Sequence, residues 1–151
     1  MLSRVAPAPR PAEEPIGLDL TRTAKVVQRA FDGALAAAGA SLPVWLVLVS
    51  LMSRQHGAQR ELAAALGIEG PTLTHHLNKM EASGLVTRRR DPENRRVHIV
   101  ELTDAGRARF TELLETVQAF DAQLRAGFTR GELSTLRALL TRLRTNVEVS
   151  A

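Results

Sequence analysis

The residues with chemistry to offer crowd into one stretch of the chain. Between Arg54 and Arg96 stand eight basic residues against five acidic ones, and Arg88, Arg89, Arg90, Arg95 and Arg96 fall within nine positions. Clustered guanidinium groups point to phosphate neutralisation, set against the plainer reading of a solvated, charged hairpin. Three of the four histidines (His56, His75, His76) lie in the same stretch and His98 just past it, but no two stand at i, i+4. Neighbours on a helix point about 100° apart, so no metal site is expected. The absence of cysteine excludes disulfides, cysteine-ligated zinc, iron–sulfur clusters and thiol redox sensing. No paired carboxylates in a suitable setting, no Gly-rich phosphate loop and no nucleophile with a base in place are found, so neither catalysis nor a cofactor is expected. Aromatic residues make up only 3% of the 151, too few for a surface that stacks single-stranded bases. A double-stranded partner suits the chemistry better.

Those residues need elements to hold them. The run Arg60-Glu61-Leu62-Ala63-Ala64-Ala65-Leu66 stops at Gly67, and a second helix is predicted from Pro71 to Ser83, stopped by Gly84. Two short helices joined by a tight turn make a helix-turn-helix. Leu85 to Arg90 and Val97 to Leu102 are β-prone runs around Asp91-Pro92-Glu93-Asn94, the signature of a hairpin. Before this block, Leu18 to Ala38 repeats apolar residues at helical spacing, and Val44 to Arg54 is apolar nearly all round, as a central helix would be. After it, Thr103 caps a long helix, and Thr129 with Glu132 forms a capping box for a last one. The fold class expected is mainly α with a small β-hairpin wing (α+β). Its divisions are a Pro-rich disordered arm (1–16), an N-terminal helix for dimerisation (17–40), a winged helix-turn-helix (41–102) and C-terminal dimerisation helices (103–151). The outer helices carry apolar stripes with little else in the chain to cover them, so a homodimer is expected. The longest apolar stretch, Leu42 to Met52, spans 11 residues where a membrane helix needs roughly 20, and no signal-peptide order opens the chain, so a cytoplasmic location with no membrane partner is expected.

Phasing the second helix at about 100° per residue buries Leu73, Leu77 and Met80. Opposite them lie Pro71, His75, Asn78 and Lys79, flanked by Thr72 and Thr74. His75 is the candidate for a base edge in the major groove, whereas His76 is expected to be a partly buried ring. In the hairpin, Arg95 and Arg96 suit the negative potential of a narrow minor groove, and Arg88, Arg89 and Arg90 suit phosphates. Asp91 or Asn94 can brace an Arg fork; alternatively the loop's acids and arginines merely pair with one another.

The sequence resembles the MarR family of winged-helix transcriptional regulators over about residues 18–147. The resemblance rests on Glu61-Leu62-Ala63 to Leu66-Gly67, Leu73-Thr74 to Leu77, Met80-Glu81 and Gly84-Leu85-Val86. It continues through Asp91-Pro92-Glu93-Asn94-Arg95-Arg96, which leads into Val100-Glu101-Leu102-Thr103 and Gly106. It implies a homodimer joined by its terminal helices on a palindromic DNA operator, a repressor released by a small aromatic or phenolic effector. The family's minor-groove Arg stands seven residues before the strand-ending Thr, which gives Arg96. The Asp usual two residues before it is Asn94 here, so Asp91 or Glu93 would have to supply the charge. Trp45 and Phe31 are the candidates to line an effector cavity, although aromatics on apolar helices more often belong to the core. The alternative from another class is a winged-helix module that binds protein partners without touching DNA.

Overall fold

The computed structural model of the chain describes residues 14–54 and 56–148. In order it contains α1 (Ile16–Ala37), α2 (Leu42–Arg54), β1 (His56–Ala58), α3 (Gln59–Leu66), α4 (Gly70–Ala82), β2 (Val86–Arg90), β3 (His98–Leu102), α5 (Asp104–Arg125) and α6 (Arg130–Glu148). The Pro-rich arm lies outside the described residues except for its last three positions, and Ile16 already opens α1. Among the described residues no single helix is long and apolar enough to cross a membrane.

The middle of the chain builds a closed lobe. Leu48 and Leu51 of α2, Leu73, Leu77 and Met80 of α4, and Val86 and Val100 of the sheet are all essentially inaccessible to water. The phasing of the second short helix is therefore the one the structure adopts. Both stops are of one kind. Gly67 (φ +64°) and Gly84 (φ +73°) are left-handed, a conformation that costs glycine no Cβ clash. After α3, Ile68 N donates to Ala63 O and Gly67 N to Ala64 O, and after α4, Leu85 N donates to Met80 O and Gly84 N to Glu81 O. This double bond pattern satisfies the last carbonyls and reverses the chain within a turn.

The wing is larger than a hairpin. β2 pairs with β3 antiparallel, with Val86 opposite Leu102 and Arg90 opposite His98, and β1 joins the other side of β3, with Gly57 opposite Val100. A sheet of order β1-β3-β2 results, so the hairpin expectation misses one strand. Alternation sends Val86, Val100 and Leu102 inward and leaves Thr87 and Arg89 outside.

The sheet is bolted to α5 at one point. Thr103 caps α5 by accepting from Gly106 N at 3.0 Å, donates its hydroxyl proton to Gly84 O at 2.5 Å, and its own N–H bonds Leu85 O at 3.1 Å. Gly106 packs so closely that a Cβ there would lie 2.1 Å from Leu85 O. Farther along, α5 packs on α1 and α2. Arg109 reaches across to Ala38 O at 2.5 Å and caps the end of α1. α6 is different: the Thr129–Glu132 capping box forms, with Thr129 N donating to Glu132 Oε2 at 2.7 Å and Glu132 N to Thr129 Oγ1 at 3.2 Å, yet no residue of the helix is buried. Those hydrogen bonds from Thr129 hold the Glu132 carboxyl below the usual carboxylate range.

Candidate nucleic-acid interface

α4 and the wing tip present the polar residues picked out in the sequence, but in two conditions: some free, some already committed. Thr72, His75, Asn78 and Lys79 are all exposed on α4. Thr74 is half-buried and works inward; its hydroxyl donates to Gly70 O at 3.0 Å and accepts from Gln59 Nε2 at 2.7 Å, tying the start of α3 to α4. That pair fixes the angle at which the second helix leaves the first. The His75 and His76 rings meet edge-on at 5.7 Å. Partial burial, with repulsion from His75 and Lys79 added, holds His76 below the usual imidazole range.

The strand arginines are occupied. Arg88 donates from its backbone N (3.1 Å) and Nε (3.3 Å) to Glu81 Oε2, from Nη2 to Glu81 Oε1 (3.2 Å), and from Nη2 to Asn78 Oδ1 at 2.5 Å. Only 18% of its side chain is exposed, so it is a strut between α4 and β2 rather than the free phosphate contact expected from the sequence. The same bonds hold the Glu81 carboxyl below its usual range. Arg89, on the opposite face of the sheet, pairs with Glu101 across the ladder at 2.9 Å. Arg90 donates to Arg95 O at 2.9 Å and so shapes the loop. Its guanidinium and that of Arg89 stay at the surface.

The bracing by Asp91 and Asn94 takes another form than an Arg fork. Asp91 Oδ1 accepts from Glu93 N at 2.9 Å and Asn94 Oδ1 from Arg96 N at 3.2 Å, while Asp91 N and Val97 N bond across the turn to Val97 O and Asn94 O. Side-chain oxygens that bond backbone two residues on are the usual stabiliser of such turns. For this job an amide serves as well as a carboxylate, so Asn94 in place of the expected Asp costs the loop nothing. Arg95 and Arg96 are exposed on this stiffened tip, and their guanidinium groups have no protein partner among the described residues. A cleft of about 900 Å³ opens between the two arms of the site, bordered by Gln59, Arg60, Thr74, Arg88, Arg96 and His98.

Trp45 and Phe31 lie apart from this face. Trp45 is 8% exposed and stacks on Phe110 with centroids 5.4 Å apart and planes within 6°; Phe31 packs on Phe120 at 5.1 Å. Both rings fill the seam between α5 and the first two helices, and neither borders the cleft. Aromatic pairing of this kind is core packing.

A short helix pair, an exposed polar face on its second member and a braced arginine ribbon beside it make a winged helix-turn-helix. The family model of the MarR family matches residues 41–98, the segment that holds both arms of the site. Over that segment the chain is similar to the MarR family. Among relatives of known sequence, the HTH-type transcriptional regulator YdgJ of Bacillus subtilis is 33% identical over 90 residues, 60% of this chain and 55% of that protein. The chain thus matches just over half the length of that relative. Whole-chain likeness comes from solved structures. The transcriptional repressor CouR, bound to a 23-mer DNA duplex, superposes with a TM-score of 0.78 at 29% identity, covering 86% of this chain and 92% of that one. A mutant of MarR from Escherichia coli, complexed with operator DNA, gives 0.75 at 25% identity, covering 85% and 93%. The MarR fold therefore includes α1, α5 and α6 as well as the matched lobe.

What sequence reasoning missed are the residues that position the site: Glu81, Gln59 and Glu101. The one available signal was Glu81 and Arg88 standing on either side of the Gly84 stop, with opposite charges facing across a turn.

Proposed function

We propose that this chain is a MarR-family, sequence-specific, double-stranded-DNA-binding transcriptional regulator that acts as a homodimer on a palindromic operator, as a repressor released by a small aromatic effector. The observation that carries the reading is the pairing of an exposed α4 face with two unpartnered guanidinium groups on a rigid loop. α4 has the dimensions of a major groove, and an Arg-tipped ribbon suits the minor groove next to it. The DNA-bound states of CouR and MarR support it by likeness. The dimer rests on the bare apolar stripe of α6, where Leu136, Leu139 and Leu140 are 38–44% exposed. A second copy of the same helix is the self-complementary cover such a face needs.

Footprinting on the DNA flanking the chain's own gene tests this. Two protected half-sites about one helical turn apart are expected, with affinity falling steeply as salt rises. Protection of one asymmetric half-site would contradict the dimer. Salt-independent capture of a protein, with no retention of any duplex, would instead favour the protein-binding module. For the effector, a thermal-shift screen with phenolic carboxylates should find stabilising compounds that also release DNA; a ligand seated between the rings would part the Trp45–Phe110 or Phe31–Phe120 contact.

A further inference from the structure

At Asn78 the polar face of α4 has its amide oriented from within the protein. Arg88 is the cause. A guanidinium carries donors only, so the atom 2.5 Å from its Nη2 must be the oxygen of the Asn78 amide, whichever way that amide is drawn. The bond is charge-assisted and short, and Arg88 is held in place from the other side by three bonds to Glu81. Asn78 is an exposed residue, and its Nδ2 has no acceptor among the described residues. Glu81, the one carboxylate of α4, is consumed by the same strut, and the Thr74 hydroxyl already accepts from Gln59. With its oxygen drawn to Arg88, Asn78 offers chiefly its NH₂ beside the ammonium of Lys79.

We propose that Arg88 sets the base preference of this surface by locking Asn78 Oδ1, so that Asn78 presents chiefly its NH₂ and selects guanine or thymine where a free asparagine would select adenine. A free Asn reads adenine with both ends of its amide, accepting from N6 and donating to N7. With the oxygen held against Arg88, the Asn78 amide can accept from an adenine or cytosine amino group only by sharing that oxygen with a charged donor, whereas guanine O6 and N7 or thymine O4 match the NH₂ directly. Arg88 is thus a specificity-determining residue acting through Asn78. The inference rests on the DNA-binding reading of α4.

The experiment is binding selection from a randomised duplex pool, followed by affinities on single-base variants of the selected site. Asn78→Ala identifies the position by relaxing preference there. For the wild type that position should hold guanine or thymine, about tenfold over adenine. Arg88→Met, which removes the donors and keeps the length, should raise adenine at that position to at least parity. Because Arg88→Met also loosens the wing, Asn78→Asp is the second variant: it keeps an acceptor for Arg88 and replaces the free NH₂ by oxygen, so cytosine or adenine should overtake guanine and thymine. Adenine preferred by the wild type, or a position that responds to Asn78→Ala but not to Asn78→Asp, overturns the proposal while leaving the DNA-binding reading intact. A wild type that retains no duplex from the pool overturns both.

Discussion

The central lobe and the outer helices of this chain solve the same problem in opposite ways. In the lobe from α2 to β3, the apolar side chains find one another: Leu48, Leu51, Leu73, Leu77 and Val100 are all fully buried, and the polar groups at its edges are paired by Gln59, Glu81 and Glu101. On α1 and α6 many apolar residues stay in water, with Val26, Leu136, Leu139 and Leu140 all more than a third exposed, although Leu35 of α1 is buried. The difference shows what a monomer of this size can finish by itself. It can assemble the head that would meet a partner, but it cannot cover the frame that fixes that head in space. Exposed apolar stripes of this extent mark an association surface.

The largest effect should come from charging that frame. Leu139→Glu with Leu140→Glu places like charges face to face in a symmetric pair, at a cost of about 4 kcal/mol, roughly a thousandfold in dimer affinity. Sedimentation should then report monomers, while far-ultraviolet circular dichroism should be unchanged because neither residue touches the lobe's core. Loss of the helical signal would mean that the two regions fold as one unit, and the contrast would fail. Next comes the bolt between the regions. Gly106→Ala drives a Cβ into Leu85 O, and because the obstacle is backbone, about 3 kcal/mol of stability should be lost in chemical denaturation. An unchanged midpoint would show that α5 can shift away from the sheet at no cost.

How much of this contrast was legible beforehand follows from how local each signal is. The helix-turn-helix, both Gly stops, the Thr103 and Thr129 caps and the two long wing strands each depend on residues within a turn of one another, and all stood in the sequence. β1 did not. Three residues, His56 to Ala58, carry no periodicity, and they are a strand only because β3 lies beside them. The role of Arg88 depends on a related feature: its partners Asn78 and Glu81, ten and seven residues back, meet it only once α4 has turned back at Gly84. Trp45 and Phe31 were ambiguous until α5 brought Phe110 and Phe120 against them.

Within the lobe, smaller effects separate the free groups from the committed ones. Arg96→Ala should weaken binding to all duplexes alike, by about tenfold at low salt, and lower the slope of affinity against salt by about one ion. His75→Ala should change the ranking of operator variants more than the overall affinity. Equal losses on every variant for both substitutions would erase the division between a reading helix and a gripping loop. The smallest effect expected is a pH dependence from His76. Its folded-state pKa lies below the unfolded value, so the unfolded chain binds the proton first and stability falls as pH drops below about 6.5. Melting temperature should therefore decline between pH 7 and pH 5, and His76→Gln should flatten part of that decline; a wild-type curve that rises on acidification has the sign wrong.

The central claim, that two copies joined along their outer helices bring two reading heads to one duplex, is tested most directly by stoichiometry. Sedimentation of the chain with the duplex it protects should give two chains per duplex, and the Leu139→Glu, Leu140→Glu double variant should bind the same duplex far more weakly. One chain per duplex, or a double variant that remains monomeric and binds with undiminished affinity, would contradict the account.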